Sequence, residues 1–165
     1  MNIKRFLFLL IIIGFFSYQS VDKTFPKDYF RSPIDGTIQL SGSFGELRSN
    51  HFHGGIDIKP RVRGKSGDPI YAAADGYVAR IAVSPRGYGN GLYLAHPNGY
   101  TTVYGHLLKF NDKIAQYVED LQYANETFVL DVDTLQATLF PVEKGQIIGY
   151  IIRQMANIFP IMFTI

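Results

Sequence analysis

The sequence contains no cysteine and no tryptophan, and its charges nearly balance, with 16 basic and 14 acidic residues. Without cysteine, structural disulfides and a lipid anchor on cysteine are excluded. Only the core or a bound metal ion can then stabilise the folded domain. The basic residues form no dense cluster. A nucleic-acid-binding surface, which needs such a cluster, is therefore not predicted. The length of 165 residues suits one domain with a single buried core.

Long apolar runs are scarce in the body of the chain, but one opens it. Lys4 and Arg5 precede an apolar run over residues 6–16, and a polar stretch over 17–20 follows. This order predicts a secretory signal peptide, residues 1–20. The run is shorter than the roughly 20 residues of a transmembrane helix, although an uncleaved anchor stays open as the alternative. We expect export to the periplasm, the cell envelope or the extracellular space, with no stable membrane insertion after cleavage.

Short strand-like runs and glycine turns dominate residues 36–150, after an extended lead-in over 21–35. Runs such as YVARIAVS and YTTVYGHL are rich in β-branched and aromatic residues, which is typical of strands. Asp-Gly and Asn-Gly dipeptides between them suit tight turns, and a hairpin is predicted to turn at Asn98-Gly99. No long helix separates successive strands, so the sequence predicts a mainly β domain with antiparallel pairing.

One helix is predicted near residues 112–123. Asn111 or Asp112 can cap its start. Apolar residues then recur at i, i+3, i+4 and i+7: Ile114, Tyr117, Val118 and Leu121.

All four histidines lie between positions 51 and 106. His53 and Asp57 stand four residues apart with Gly54-Gly55 between them, and two glycines disfavour a helix. On an extended strand their Cα atoms would lie about 13 Å apart, whereas two zinc ligands each lie about 2 Å from the metal. Sharing one zinc ion therefore requires a bend, which the glycines permit. Alone, this spacing is a weak signal, because a surface histidine near a solvated aspartate is commoner.

The other three histidines have different predicted roles. His106 lies at the end of the second hairpin strand, where it either hydrogen-bonds to backbone or acts as a catalytic group near a metal. His51 is expected to be solvated near the rim of the site, and His96 to be a polar turn residue. Neither His51 nor His96 is assigned to the metal.

Several stretches in the right order and spacing resemble the lysostaphin-type zinc endopeptidases that cleave peptide cross-links in peptidoglycan. The resemblance runs from about Leu40 to Tyr150 and includes GSFGELRSNHFHGGIDI, DPIYAAADGYVARI, GYGNGLYLAHPNGYTTVYGHL and VEKGQIIGY. It implies an antiparallel β-sheet groove with zinc on its floor. It also implies that His53 and Asp57 are zinc ligands and that His106 is a catalytic histidine that does not bind the metal.

The chain departs from this family after Tyr150. There the family has a Gly/Ser-rich loop and a His-x-His strand, which supplies a catalytic histidine and the third zinc ligand. Residues 151–165 contain neither histidine nor glycine. We expect them to be an aberrant apolar tail, from a frameshift or a premature stop, that matches no sheet pattern and packs poorly. The third protein ligand is not found.

Three functions follow as hypotheses. The first is a zinc-dependent endopeptidase that hydrolyses peptide bonds in peptidoglycan, impaired by the missing motif. The alternative is a degenerate module of the same fold that binds peptidoglycan or regulates another wall enzyme without catalysis. The third is a carbohydrate-uptake phosphocarrier of related sheet topology, whose cytoplasmic chemistry conflicts with the predicted signal peptide.

Overall fold

A computed structural model describes residues 27–61 and 67–151, and the backbone of residues 161–164. The predicted signal peptide, residues 1–20, and most of the predicted tail lie outside these ranges. Across the described ranges, no helix has both the length and the apolar character needed to cross a membrane.

Ten strands and one helix follow one another through the described ranges. They are β1 (Leu40–Gly42), β2 (Ile56–Ile58), β3 (Pro69–Tyr71), β4 (Gly76–Val83), β5 (Asn90–Ala95), β6 (Thr101–Phe110), α1 (Asp112–Ala124), β7 (Leu130–Val132), β8 (Pro141–Val142), β9 (Ile147–Ile151) and β10 (Ile161–Thr164).

The strands form one sheet with the central order β1-β2-β10-β6-β5-β4-β7. Strand β8 pairs with β4, and β9 joins β3 to the far end of β6. Every pairing in the described ranges is antiparallel. The predicted mainly β, antiparallel class is therefore confirmed.

The β5–β6 hairpin turns where the sequence predicts it. Gly99 adopts φ 83°, a left-handed conformation that glycine reaches without a steric cost. The amide of His96 donates to the carbonyl of Tyr100 at 2.9 Å and closes the turn. This hairpin sets the register of β6, the strand that carries His106.

The single described helix also matches the prediction. Asn111 is its N-cap, and the Asn111 side chain accepts a hydrogen bond from the amide of Ile114 at 3.0 Å. Ile114 and Val118 are buried, while Tyr117 and Leu121 pack partly buried against the same core. The helix thus covers the sheet with the apolar stripe that the sequence shows.

The core lies along the inner face of the sheet, and apolar side chains from β2 to β9 fill it. Ile58, Ile81 and Leu92 are fully buried. The buried hydroxyl of Tyr104 enters this core, where it accepts hydrogen bonds from the amide of Ala73 at 2.8 Å and from Oγ1 of Thr102 at 3.2 Å. The pairing meets the rule that buried polar groups are stable only when they are hydrogen-bonded.

The expectation that the tail matches no sheet pattern is wrong for two parts of it. Ile151 closes β9 and is buried. Ile161–Thr164 form β10, which lies between β2 and β6 and pairs with both. The reason is physical: apolar and β-branched residues favour strands, and two flanking strands supply hydrogen-bond partners for the backbone.

Candidate metal centre

A small hairpin delivers His53 to the start of β2. The amide of His53 donates to the carbonyl of Glu46 at 2.8 Å, and the amide of Gly45 donates to the carbonyl of His53 at 2.9 Å. The chain then bends through residues 54–55 before β2 begins at Ile56. Gly54 does not use a positive φ in this bend. The predicted bend is present, although Gly54 achieves it in a conformation open to other residues.

The bend brings His53 and Asp57 together. Nε2 of His53 lies 3.1 Å from Oδ1 of Asp57. The side chains are only 7% and 10% exposed. Two ligands of a tetrahedral zinc ion, each about 2.0–2.1 Å from the metal, lie roughly 3.3 Å apart. The observed separation therefore fits two ligand atoms of one zinc ion.

The hydrogen bonding of His53 supports the same use. Its Nδ1 lies 3.0 Å from the backbone carbonyl of Ser43. A carbonyl oxygen only accepts, so Nδ1 carries the hydrogen, and in the neutral ring Nε2 keeps a lone pair. That lone pair faces a carboxylate oxygen of Asp57. Two acceptors at this distance need a cation between them, either a proton on Nε2 or a metal ion.

Arg48 contacts the other oxygen of the same carboxylate. Its Nη2 donates to Oδ2 of Asp57 at 2.7 Å and to Oε2 of Glu46 at 3.1 Å. The two carboxylate oxygens of Asp57 thus have different partners: Oδ2 is bound to Arg48, and Oδ1 faces His53. No pattern in the sequence predicts this contact.

His106 occupies an unusual backbone position. Strand β6 continues beyond it to Phe110, so His106 lies inside the strand rather than at its end. Its φ is 58°, which is uncommon outside glycine and marks local strain. The amide of His106 donates to the carbonyl of Tyr88 at 2.7 Å, and this bond helps to hold the conformation. Strained residues of this kind cluster at functional sites.

The charge state of His106 is set by its surroundings. Burial lowers its pKa below the ordinary histidine value, nearby Asp57 opposes the shift, and His53 adds to it. The net lowering favours a neutral imidazole at pH 7. A neutral ring can accept a proton or donate one hydrogen bond, which are the two properties expected of a catalytic histidine.

One groove of about 350 Å³ contains these side chains. Its lining residues are Arg48, Ser49, His51, His53, Asp57, Gly87, Tyr88 and His106. The structure thus brings together the three predicted site residues and places His51 at the same groove. Tyr88 was not predicted here. Its only sequence signal is its position in the GYGNG turn, between two strands of the same sheet.

His96 lies apart from the groove residues and holds a turn. Its Nδ1 is 2.8 Å from the carbonyl of Asp75, and its Nε2 is 2.8 Å from Oγ1 of Thr102. These bonds tie the β5–β6 turn to the loop before β4. They agree with the polar turn role that the sequence suggests.

The described residues supply only part of a metal site. No group of three histidine, cysteine, aspartate or glutamate side chains within residues 27–61 and 67–151 could hold a metal ion. Catalytic zinc sites normally have three protein ligands and an open position. His53 and Asp57 therefore fit as two ligands, and a third is not among the described side chains.

A curled antiparallel sheet whose groove holds a His–Asp pair and a second histidine defines a metallopeptidase-like fold. The family model described as Peptidase family M23 matches residues 51–123. Lysostaphin from Staphylococcus simulans superposes with a TM-score of 0.53 and 20% identity, over 82% of this chain and 46% of that one. The resemblance to the lysostaphin-type M23 family that the sequence led us to expect is confirmed.

Two curated relatives share 31% identity with the chain. One is an uncharacterized metalloprotease of Haemophilus influenzae, aligned over 108 residues, which are 62% of this chain and 22% of the relative. The other is the cell division protein DipM of Caulobacter vibrioides, aligned over 93 residues, which are 56% of this chain and 14% of the relative. The chain thus spans less than a quarter of the length of either relative.

Proposed function

We propose that this chain carries the groove and two zinc ligands of an exported endopeptidase that hydrolyses peptide bonds in peptidoglycan. The observation that supports the proposal most directly is the 3.1 Å contact between Nε2 of His53 and Oδ1 of Asp57 inside the groove. The M23 match supports the peptidase class. The substrate is proposed from the resemblance to lysostaphin-type enzymes and from the relative that acts in cell division.

Each residue then has a defined task. His53 and Asp57 hold zinc, which when bound supplies a Lewis acid that polarises a carbonyl group and makes water more acidic. His106 stands in the same groove as a neutral imidazole, which can orient a water molecule or stabilise developing negative charge. Burial of these side chains strengthens every electrostatic interaction among them, because the local dielectric constant is low.

Zinc binding tests the first step of the proposal. We expect the purified chain to bind zinc weakly, and His53→Ala or Asp57→Ala to abolish that binding. Asp120→Asn is the matched control, because Asp120 is an exposed helix residue that accepts a bond from Gln116. Competition with a chromophoric chelator gives the affinities. Zinc binding that survives both groove substitutions would refute the assignment.

Activity tests the second step. We expect the unmodified chain to release little or no dye from labelled peptidoglycan, because two protein ligands bind zinc less tightly than three. Any release should require added zinc, stop with a chelator and disappear in His106→Ala. Strong chelator-sensitive release without added zinc would show that another residue completes the site.

The non-catalytic module is the second candidate function. It is favoured by one observation, the lack of a third metal-binding side chain in the described ranges. It predicts that the chain co-sediments with insoluble peptidoglycan in chelator, equally in wild type and His106→Ala. Binding that requires zinc and is lost with His53 favours the peptidase instead.

A further inference from the structure

Arg48 holds the oxygen of Asp57 that does not face His53. The bond from Nη2 to Oδ2 measures 2.7 Å and joins a charged donor to a carboxylate that is only 10% exposed. Such charge-assisted bonds are short and roughly twice as strong as neutral ones. Arg48 is itself tied down, because its amide donates to the carbonyl of His51 at 2.9 Å and Glu46 accepts from the same Nη2.

Gly42 provides a second, independent sign that this contact is built into the fold. A Cβ atom added at Gly42 would lie 2.4 Å from both Nη2 of Arg48 and Oδ2 of Asp57. Strand β1 pairs Gly42 with Asp57, so its backbone passes directly beside the ion pair. Only a residue without a side chain leaves room for the guanidinium and the carboxylate together.

We propose that Arg48 is a positioning residue that fixes the carboxylate of Asp57 for metal binding. The inference rests on the proposed function, since it takes zinc as the ion between His53 and Asp57. By occupying Oδ2, Arg48 limits the metal to Oδ1 and prevents the carboxylate from binding through both oxygens. It also stops rotation about the last side-chain bond of Asp57, whose preferred angles are broad.

The positioning effect and the charge of Arg48 act on zinc affinity in opposite directions. The direction in which zinc affinity changes when Arg48 is replaced therefore shows which effect is larger. The positive charge of Arg48 repels zinc, so the loss of that charge would by itself tighten zinc binding. The loss of an orienting partner weakens binding instead, by about 10- to 100-fold in metal sites generally. Glu46 pairs with Arg48 and offsets part of its charge. The positioning effect should therefore prevail.

The test compares Arg48→Gln, Arg48→Lys and a matched control, Arg80→Gln, in the whole chain. Arg80 binds Asp131 through two bonds of 2.7 and 2.6 Å, on strands away from the groove. Zinc affinity is measured by chelator competition, and the ligand geometry by the absorption spectrum of bound cobalt(II). We expect Arg48→Gln to bind zinc about 10- to 100-fold more weakly, with a changed cobalt spectrum.

Arg48→Lys keeps the charge but offers a single point donor, so we expect it to recover part of the affinity. Arg80→Gln should match wild type in both readouts. Equal or tighter zinc binding by Arg48→Gln, with an unchanged cobalt spectrum, would overturn the proposal. Circular dichroism confirms that each variant is folded. A wild-type chain whose zinc binding does not depend on His53 would instead refute the proposed function, so the two failures are distinguishable.

Discussion

Gly42→Ala is the most direct test of the geometry around Asp57. The backbone of Gly42 does not adopt a positive φ, so alanine is not strained by its own conformation. The added methyl group would nevertheless stand 2.4 Å from atoms of both Arg48 and Asp57, whereas ordinary contacts begin near 3.4 Å. Something must move by about 1 Å, the difference between these distances.

The end of the arginine moves most easily, because Arg48 is flexible and a third exposed. A 1 Å displacement stretches the 2.7 Å bond beyond hydrogen-bonding distance and leaves Oδ2 of Asp57 without this partner. A hydrogen bond to a charged group is worth about 1.5–3 kcal/mol. Partial exposure of the arginine reduces this figure to about 1–2 kcal/mol. For a domain of this size, the melting temperature should fall by about 2–8 °C.

The measurement is thermal and urea unfolding in excess chelator, so that no metal stabilises the folded state. Gly54→Ala is the matched control, because its added Cβ meets no atom within 4 Å and its backbone also avoids a positive φ. The control should remain within about 0.5 kcal/mol of wild type. If Gly42→Ala is equally neutral, the close approach of β1 to the ion pair is wrong.

Two further predictions concern the core and the helix. Tyr104→Phe leaves the buried amide of Ala73 unpaired and should cost about 1–3 kcal/mol in urea unfolding. Burial raises the pKa of Tyr104, so the folded state holds this proton more tightly than the unfolded state. The wild-type advantage should therefore be full below about pH 10 and decline as pH rises through the folded pKa. Asn111→Ala removes the helix cap and should cost about 1 kcal/mol by the same unfolding assay, with Asp120→Asn unchanged.

The fold was predictable because its signals are local. Turn dipeptides and short β-branched runs specify the β5–β6 hairpin, and the Ile114–Leu121 stripe specifies the helix. These patterns reflect backbone preference and burial within a few residues of sequence. The antiparallel class follows, since no helix separates the successive strands from β1 to β6 in the described ranges.

The strand character of Ile161–Thr164 was not predictable in the same way. Nothing within this short apolar run specifies its partners. Its pairing depends on β2 and β6, whose residues lie more than fifty positions earlier in the chain. Long-range pairing of this kind is set by the gap that other strands leave, not by the segment alone.

The candidate site was only partly predictable for a similar reason. The resemblance to a known family supplied His53, Asp57 and His106, and the groove contains all three. Arg48 and the positive φ of His106 depend on side-chain packing and on a bond to the neighbouring loop. Neither feature leaves a periodic trace in the sequence.

The register of β10 gives a final prediction about the candidate metal site. Met162 is the ladder partner of Asp57. Directly opposed positions in an antiparallel pair share one face of the sheet, with Cβ atoms about 4.5–5.5 Å apart. A histidine at position 162 would therefore start within reach of a metal ion held between His53 and Asp57.

Met162→His should raise zinc affinity by more than about tenfold. A residue that only orients a metal ligand changes the affinity by about 10- to 100-fold, and a direct ligand should exceed the lower end of that range. Ile161→His is the matched control: it adds the same side chain one residue away, where the two-residue period of a strand directs it to the opposite face. Chelator competition measures both variants, and dye release from labelled peptidoglycan shows whether the completed site gains activity. Equal affinity gains in the two variants would mean that β10 does not hold this register. No gain in either, with His53-dependent binding intact in wild type, would mean that the strand does not approach the metal closely enough to supply its third ligand.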